Sequence, residues 1–535
     1  MSEPIQPFSV SGNNDQNTDN MVYMNNDEMS DHDIIDQTEE ERIESLLLLA
    51  EQSINDSNVI TDELNENMII TLLHKLYKSI ECNTVMREKY YDQPNKFMES
   101  ELELNMIIDQ LKSVATVPHY YYVLYNVQYK LMDCIINLLQ HDNDDIKHNT
   151  IHMLNELVDT DILNEIDDSN MCHQFIQYIF HSEINILLIS LLQRYQPMDT
   201  DWCIHNIDYG NNDIVTEILE LYETVIEYDT ALTQYINKNN LLYNYLYTIY
   251  TCNRVNIGTD TLSGTLVYTV ELLSLVLIND TDTIHEYINS NGIKYNIKII
   301  KQLCKYPTIQ LNEQQYEYMT YVLTVSSNVL YRNTVAIKQF TELSGTEYIL
   351  QLIKLRPKLQ KYSLQIIDYL CYGNVDNCNR LIDNGILSIV FALLLKSTHN
   401  IDLLLSVVVQ LFLHLTDTPY KRLLHKFVEN NYEKIDYLIE QYTRYNNVLL
   451  VIHDQSYVTQ LSNGLDIIQH ICCILCLLAT ANNTQLTNTI QNKLIINRIE
   501  WNDIINRLRV YSDNLDDKVV LKTVIQNTIQ LLNKH

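Results

Sequence analysis

Glycine and proline are scarce in this chain, 9 and 8 of 535 residues, far below their usual shares of roughly 7% and 5%. Tight hairpins and phosphate-cradling loops draw on glycine, so the shortage argues against an all-β fold and against a nucleotide cradle. Neither GxxxxGK[ST] nor GxGxxG occurs, and HExxH, GxSxG and EF-hand strings are also missing. With no nucleophile, base or phosphate loop suggested, no enzyme and no cofactor are expected. No apolar run reaches the about 18 residues of a membrane span; Leu387–Leu395 and Ile471–Ala481 have the length of buried helices, so no membrane partner is expected. The opening MSEPIQPFSV lacks the basic and apolar regions of a secretory signal. Basic residues are few as well: 36 Lys and Arg face 69 Asp and Glu, a formal charge of −33. A field of that sign repels phosphate backbones and favours basic partners, which argues against direct nucleic-acid binding. It also serves solubility, so acidity alone does not assign recognition.

What remains is Leu, Ile, Asn and 38 Tyr in long stretches of helical period. The expected fold is all-α, and no Pro/Gly/Ser-rich linker divides the chain after its first residues, so one continuous solenoid is expected. The Asn and Tyr content reads as compositional bias without function. Eleven scattered Cys fit free buried thiols in a reducing compartment.

Residues 1–36 are Asn/Asp/Ser/Gln-rich without periodicity and are expected to be disordered. Thr38 to Glu41 has the spacing of a capping box, followed by the apolar stripe Ile43, Leu46, Leu47 and Ala50. A second stripe runs from Asp62 to about Glu81. Pro94 should break the next segment and Pro118 should end the helix around Leu104–Val114. Further on, NKNNLLYNYL, NSNGIKYNIK, ELSGTEYILQLI and IDNGILSIVFALL align on Asn240, Gly292, Gly345 and Gly385. Their spacing of about 40 to 55 residues is near that of HEAT and armadillo units. Gly or Asn at one shared site predicts a left-handed helix end at all four. The implied organisation is a helical N-terminal cap over 37–118, armadillo-like repeats over 119–420 and C-terminal helical repeats or a cap over 421–535.

Specific strings add a family. EKYYDQPNKFMESELELNMIIDQLKSVATVPHYY (Glu88–Tyr121), LLQHDNDDI (Leu138–Ile146), ELVDTDIL (Glu156–Leu163), LLHKFVENNYEKIDYLIEQY (Leu423–Tyr442) and GLDIIQHIC (Gly464–Cys472) resemble, in order, the beta-catenin-like protein 1 family. The resemblance runs from about Glu39 to the C-terminus and is thinner between Asp168 and Tyr420. It implies an armadillo/HEAT-like right-handed superhelical solenoid with atypical caps. It also implies a nuclear, non-enzymatic scaffold or adaptor of the pre-mRNA splicing machinery, associated with the Prp-nineteen-type complex. Its implied partners are splicing factors with basic nuclear-localisation-like segments, including a Myb-related one. One departure matters for localisation to the nucleus: the family carries a basic signal in its N-terminal tail, and residues 1–36 here contain no Lys or Arg.

Candidate site residues follow from placing acidic residues on third helices, the ones that line an armadillo groove. Glu156, Asp159 and Asp161 are expected to end one third helix, Glu223 and Glu227 to end the next, and Glu271 and Asp368 to occupy later ones. Together they would form a carboxylate ladder for Lys and Arg side chains; the alternative is that they are solvated or satisfied by neighbours. His470-Ile471-Cys472-Cys473-Ile474-Leu475-Cys476 has CxxC spacing but lacks the second ligand pair of a zinc site, so buried thiols and no metal are expected. His141 to Asp145 reads as the cap of the following helix. An importin-α-like or catenin-like adaptor, or a HEAT-type regulatory subunit, are the other options. The Trp ladder of an importin-α groove cannot be built from Trp202 and Trp501 alone. The oligomeric state stays open, a homodimer included.

Overall fold

The computed structural model describes residues 64–532, apart from 165–168, 181, 197–212, 230, 254, 256, 258–261, 279, 397–398, 453–454, 482 and 516–519. The expected tail, the Thr38 capping box and the Ile43–Ala50 stripe therefore lie outside the described residues. Every regular element among the described residues is helical. Among the described residues, 81–100 belong to one compact unit, and 64–80 with those from 101 onward to another.

In the first unit, the described part holds the end of the helix Glu66–Lys89 and a single turn at Pro94–Lys96. The Arg87 guanidinium lies 4.7 Å from the centre of the Phe97 ring, and Asn83 Nδ2 donates to Ser100 Oγ at 2.9 Å. The helix runs past Glu81, where its apolar stripe fades, and stops short of Pro94, as that residue's missing amide requires.

The second unit is an all-α armadillo solenoid. Its units show a short helix followed by two longer ones: Thr281–Asn289, Gly292–Lys305 and Glu313–Leu330, then Thr334–Glu342, Gly345–Leu355 and Gln360–Cys371. The last helices of successive units form one continuous row: α1 (Asp144–Leu157), α2 (Asp213–Tyr228), α3 (Gly264–Val276), α4 (Glu313–Leu330), α5 (Gln360–Cys371), α6 (Ile401–His414) and α7 (Leu465–Ala479). Each packs on the next, α1 on α2 through α6 on α7. None could bury its apolar stripe alone; stacking makes the core. At the N-terminal end, Met98–Lys112 passes into a short turn at Ser113–Thr116 and ends before Pro118, as expected.

Asparagine does more here than composition implied. Asn143, Asn312, Asn333, Asn374 and Asn483 cap helices by accepting from amides of the first turn, Asn312 in a capping box with Gln315. Asn239, Asn240, Asn291, Asn400, Asn430 and Asn431 hold left-handed backbone, the conformation this short amide side chain tolerates best after glycine. The long helix Asp417–Val451 is interrupted where Asn430, Asn431 and Tyr432 take φ of 55°, 56° and 66°.

The shared left-handed site needs correction by one residue. Asn240 (φ 56°) and Gly385 (φ +83°) are left-handed as expected, but in the two middle units the residue is Asn291 (φ 65°) and Ser344 (φ 63°). Gly292 and Gly345 start the following helix, and steric closeness selects them. A Cβ at Gly292 would sit 2.4 Å from the Tyr287 ring, and one at Gly345 2.4 Å from the Phe340 ring.

The core carries a polar knot. Asn296 Oδ1 accepts from Tyr250 Oη at 2.6 Å and from Tyr287 Oη at 2.7 Å, and its Nδ2 donates to Ser326 Oγ at 2.9 Å. All four residues are buried. Cys472, Cys473 and Cys476 are buried inside α7, and burial pushes the first two thiols well up, Cys473 to about 12. Among the described residues no group of three or more His, Cys, Asp or Glu could hold a metal ion.

Candidate functional site

The row of final helices places most of the expected carboxylates on one line. Glu156 is exposed near the C-terminus of α1, Glu223 and Glu227 lie in the last turns of α2, Glu271 is midway along α3, and Asp368 is on α5. Asp159 and Asp161 do not end α1, which stops at Leu157. The Asp159 carboxylate accepts from the Asp161 amide at 2.8 Å and so turns the chain into the short helix Thr160–Asn164. An Asp two residues past an apolar helix end starts the next helix more readily than it extends the last.

The half-buried carboxylates link each helix to the next. Tyr268 of α3 donates its hydroxyl to Glu223 of α2, and Tyr321 of α4 donates to Glu271 of α3. Ser406 Oγ of α6 donates to Asp368 of α5 at 2.7 Å. Amides repeat the arrangement: Asn155 Nδ2 donates to the Glu217 carbonyl at 3.0 Å, and Asn328 Nδ2 to the Ser274 carbonyl at 2.8 Å. The tyrosine partners were not singled out from sequence. Tyr268 and Glu271 three apart, and Glu317 and Tyr321 four apart, share a helix face, and that spacing is the signal that would have found them.

Around these links negative charge accumulates. Glu220 and Glu227 of α2 and Glu317 of α4 are exposed beside Glu223 and Glu271. None of the five carries a Lys or Arg partner among the described residues. Burial raises the Glu223 carboxyl from the ordinary 4.5 to about 7. The Tyr268 hydrogen bond opposes that rise, and Glu271, Glu227 and Glu220 add to it. Glu271 is also raised, first by burial and then by Glu317 and Glu227, with Tyr321 opposing. Asp368 is pushed up to about 6 by burial, its bond to Ser406 opposing and Asp402 adding. Toward α1, Glu217 is matched instead by His148 Nε2 at 3.0 Å. Such a face can hold cations.

The matched family is described as catenin-beta-like, Arm-motif containing nuclear, and the match covers residues 44–509. Beta-catenin-like protein 1 of Mus musculus is 25% identical over 488 residues, covering 84% of this chain and 82% of the mouse protein. The homolog of Schizosaccharomyces pombe is 25% identical over 473 residues, covering 83% and 78%. A solved chain from work on the interaction between cadherin and beta-catenin is similar at 14% identity and a TM-score of 0.43, with 94% of this chain and 98% of that one covered. With the match extending over most of its length, this chain belongs to the catenin-beta-like family.

Proposed function

We propose that this protein is a non-enzymatic scaffold that receives a basic, extended segment of a protein partner along the face shared by α2, α3 and α4. The observation that carries this reading is the cluster Glu220, Glu223, Glu227, Glu271 and Glu317, without a Lys or Arg partner among the described residues. Two of its members are already raised in proton affinity by burial and by one another. A Lys or Arg laid across the cluster removes that mutual repulsion, so the site gains by binding what the fold leaves uncompensated. Membership of a family described as nuclear, together with similarity to beta-catenin-like protein 1, supports the finer reading. The scaffold then works in the nucleus as an adaptor of the pre-mRNA splicing machinery, with basic segments of splicing factors as its cargo.

The test is the triple variant Glu223→Gln, Glu227→Gln, Glu271→Gln with a short Lys/Arg-rich peptide, followed by calorimetry. Each exposed pair is worth about 0.2–1 kcal/mol, so losing three together weakens binding by roughly tenfold. Wild-type affinity should fall with added salt. Unchanged affinity in the triple variant, or indifference to salt, removes the face from consideration. Affinity purification tests the cellular part: recovery of a phosphatase or chaperone in place of splicing factors would replace the splicing reading with a regulatory-subunit one.

A further inference from the structure

Far along the chain from the acidic cluster lies a cavity of about 490 Å³, walled by the C-terminal part of the long helix, the helix Tyr457–Ser462, α7 and the helix Trp501–Asp513. This is within the size range of ligand pockets. In a chain of formal charge −33, two arginines, Arg498 and Arg507, line it, and neither is in an ion pair among the described residues. Both are positioned. Arg507 Nη2 donates to Asn446 Oδ1 at 2.9 Å, which fixes its guanidinium against the wall. Arg498 is left-handed at φ 60° and closes the helix Thr484–Ile496, its amide donating to the Ile495 carbonyl at 3.0 Å. That backbone turn brings Arg498 to the cavity.

The other groups narrow the ligand. Asp503, one turn before Arg507, also lines the cavity; two guanidiniums and one carboxylate leave a single net positive charge. That balance suits one carboxylate and disfavours a dianion such as phosphate. Leu450 and Val510 line the cavity while 59% and 49% exposed, and Leu465 and Ile499 line it further. Apolar side chains beside the guanidiniums suit a ligand that carries an apolar part next to its charge. The side-chain amides of Asn446, Gln460, Gln469 and Asn506 also line the cavity and make its wall polar, each holding a bond within the protein.

We infer that this cavity is a second binding site, independent of the α2–α4 face, for a short segment of a protein partner that presents one carboxylate beside an apolar side chain. Arg498 and Arg507 hold the carboxylate, and Leu450 and Val510 cover the apolar side chain.

Calorimetry on the full chain tests this with three capped peptides, acetyl-Ala-Leu-Leu-Asp-amide and its Asn and Lys twins. The Asp peptide should bind, the Asn twin roughly tenfold more weakly for loss of the charge-assisted bonds, and the Lys twin not at all. Arg498→Gln, which removes an exposed and unpaired cation, should weaken the Asp peptide, and Leu450→Ser should do the same; thermal melts check that both variants fold. The Glu223→Gln, Glu227→Gln, Glu271→Gln variant should bind the Asp peptide as the wild type does, which separates this site from the acidic face. Equal binding of the three peptides, full binding by Arg498→Gln, or displacement of the Asp peptide by inorganic phosphate would overturn the inference. So would a dimer in sedimentation that Leu450→Ser dissociates, since a second copy would then cover the cavity.

Discussion

Replacing Glu223 by glutamine should stabilise α2 and α3 above neutral pH and leave them unchanged near pH 5. Glutamine keeps an oxygen for the Tyr268 hydroxyl and mimics the protonated carboxyl. The sign follows from the raised proton affinity. The native chain holds the Glu223 proton more tightly than the unfolded chain does, so the stability linked to it is present below about 4.5 and lost as pH rises through about 7. At about 1.4 kcal/mol per tenfold in proton affinity, the rise from 4.5 to about 7 corresponds to roughly 3 kcal/mol. Solvent screening of a half-buried group reduces this to about 1–2 kcal/mol. A stacked array need not unfold as one step, so the suitable assay is hydrogen exchange of α2 and α3 amides, corrected for intrinsic rates, at pH 5 and pH 8. Extra protection in Glu223→Gln at pH 8 alone is the expected result. Lower protection at pH 8, or the same gain at both, refutes the reasoning. The same carboxyl should also release a proton when a basic peptide binds. Calorimetry near pH 7 in buffers of different ionisation enthalpy should therefore show a proton release that the variant lacks.

Asn296→Ala strands the Tyr250 and Tyr287 hydroxyls in the core and should destabilise its surroundings by about 2–4 kcal/mol in denaturant melts. Gly292→Ala drives a methyl group to 2.4 Å from the Tyr287 ring and should cost about 1–3 kcal/mol by the same measurement. Gly385 is left-handed at φ +83°, and a Cβ there would meet only Ser388 Oγ, at an ordinary contact distance of 3.7 Å, so Gly385→Asn should melt close to wild type and Gly385→Val well below it. Equal melting of the Asn and Val variants would show that conformation is not what selects glycine there.

Much of this architecture could be read in advance, for reasons that differ by residue. The helix breaks at Pro94 and Pro118 were legible because proline acts through its own ring and missing amide. Gly385 was legible because left-handed backbone is a local property. Gly292 and Gly345 were misread because their role comes from Tyr287 and Phe340, five residues upstream, and a steric contact leaves the same letter in the sequence as a torsional one. Glu223, Glu271 and Asp368 could be assigned to helices of the row from sequence, but their hydroxyl partners required the register between helices some 40 to 50 residues apart. The arginine-lined cavity was invisible for the same reason, since four separate segments build it.

The bonds from Asn155, Tyr268, Tyr321, Asn328 and Ser406 reach only the adjacent helix of the row. A chain wired this way behaves as a linear array whose rungs open and close in sequence, with damage at one rung felt mainly by the two beside it. Its resistance to proteases should then vary along its length, lowest at any weakened rung. The cationic cargo proposed for α2, α3 and α4 would act as a splint, spanning several rungs at once and coupling openings that are otherwise nearly independent. Occupancy should therefore appear as a block of slowed exchange wider than the contact itself, and as a longer lifetime of the protein in the presence of its partner.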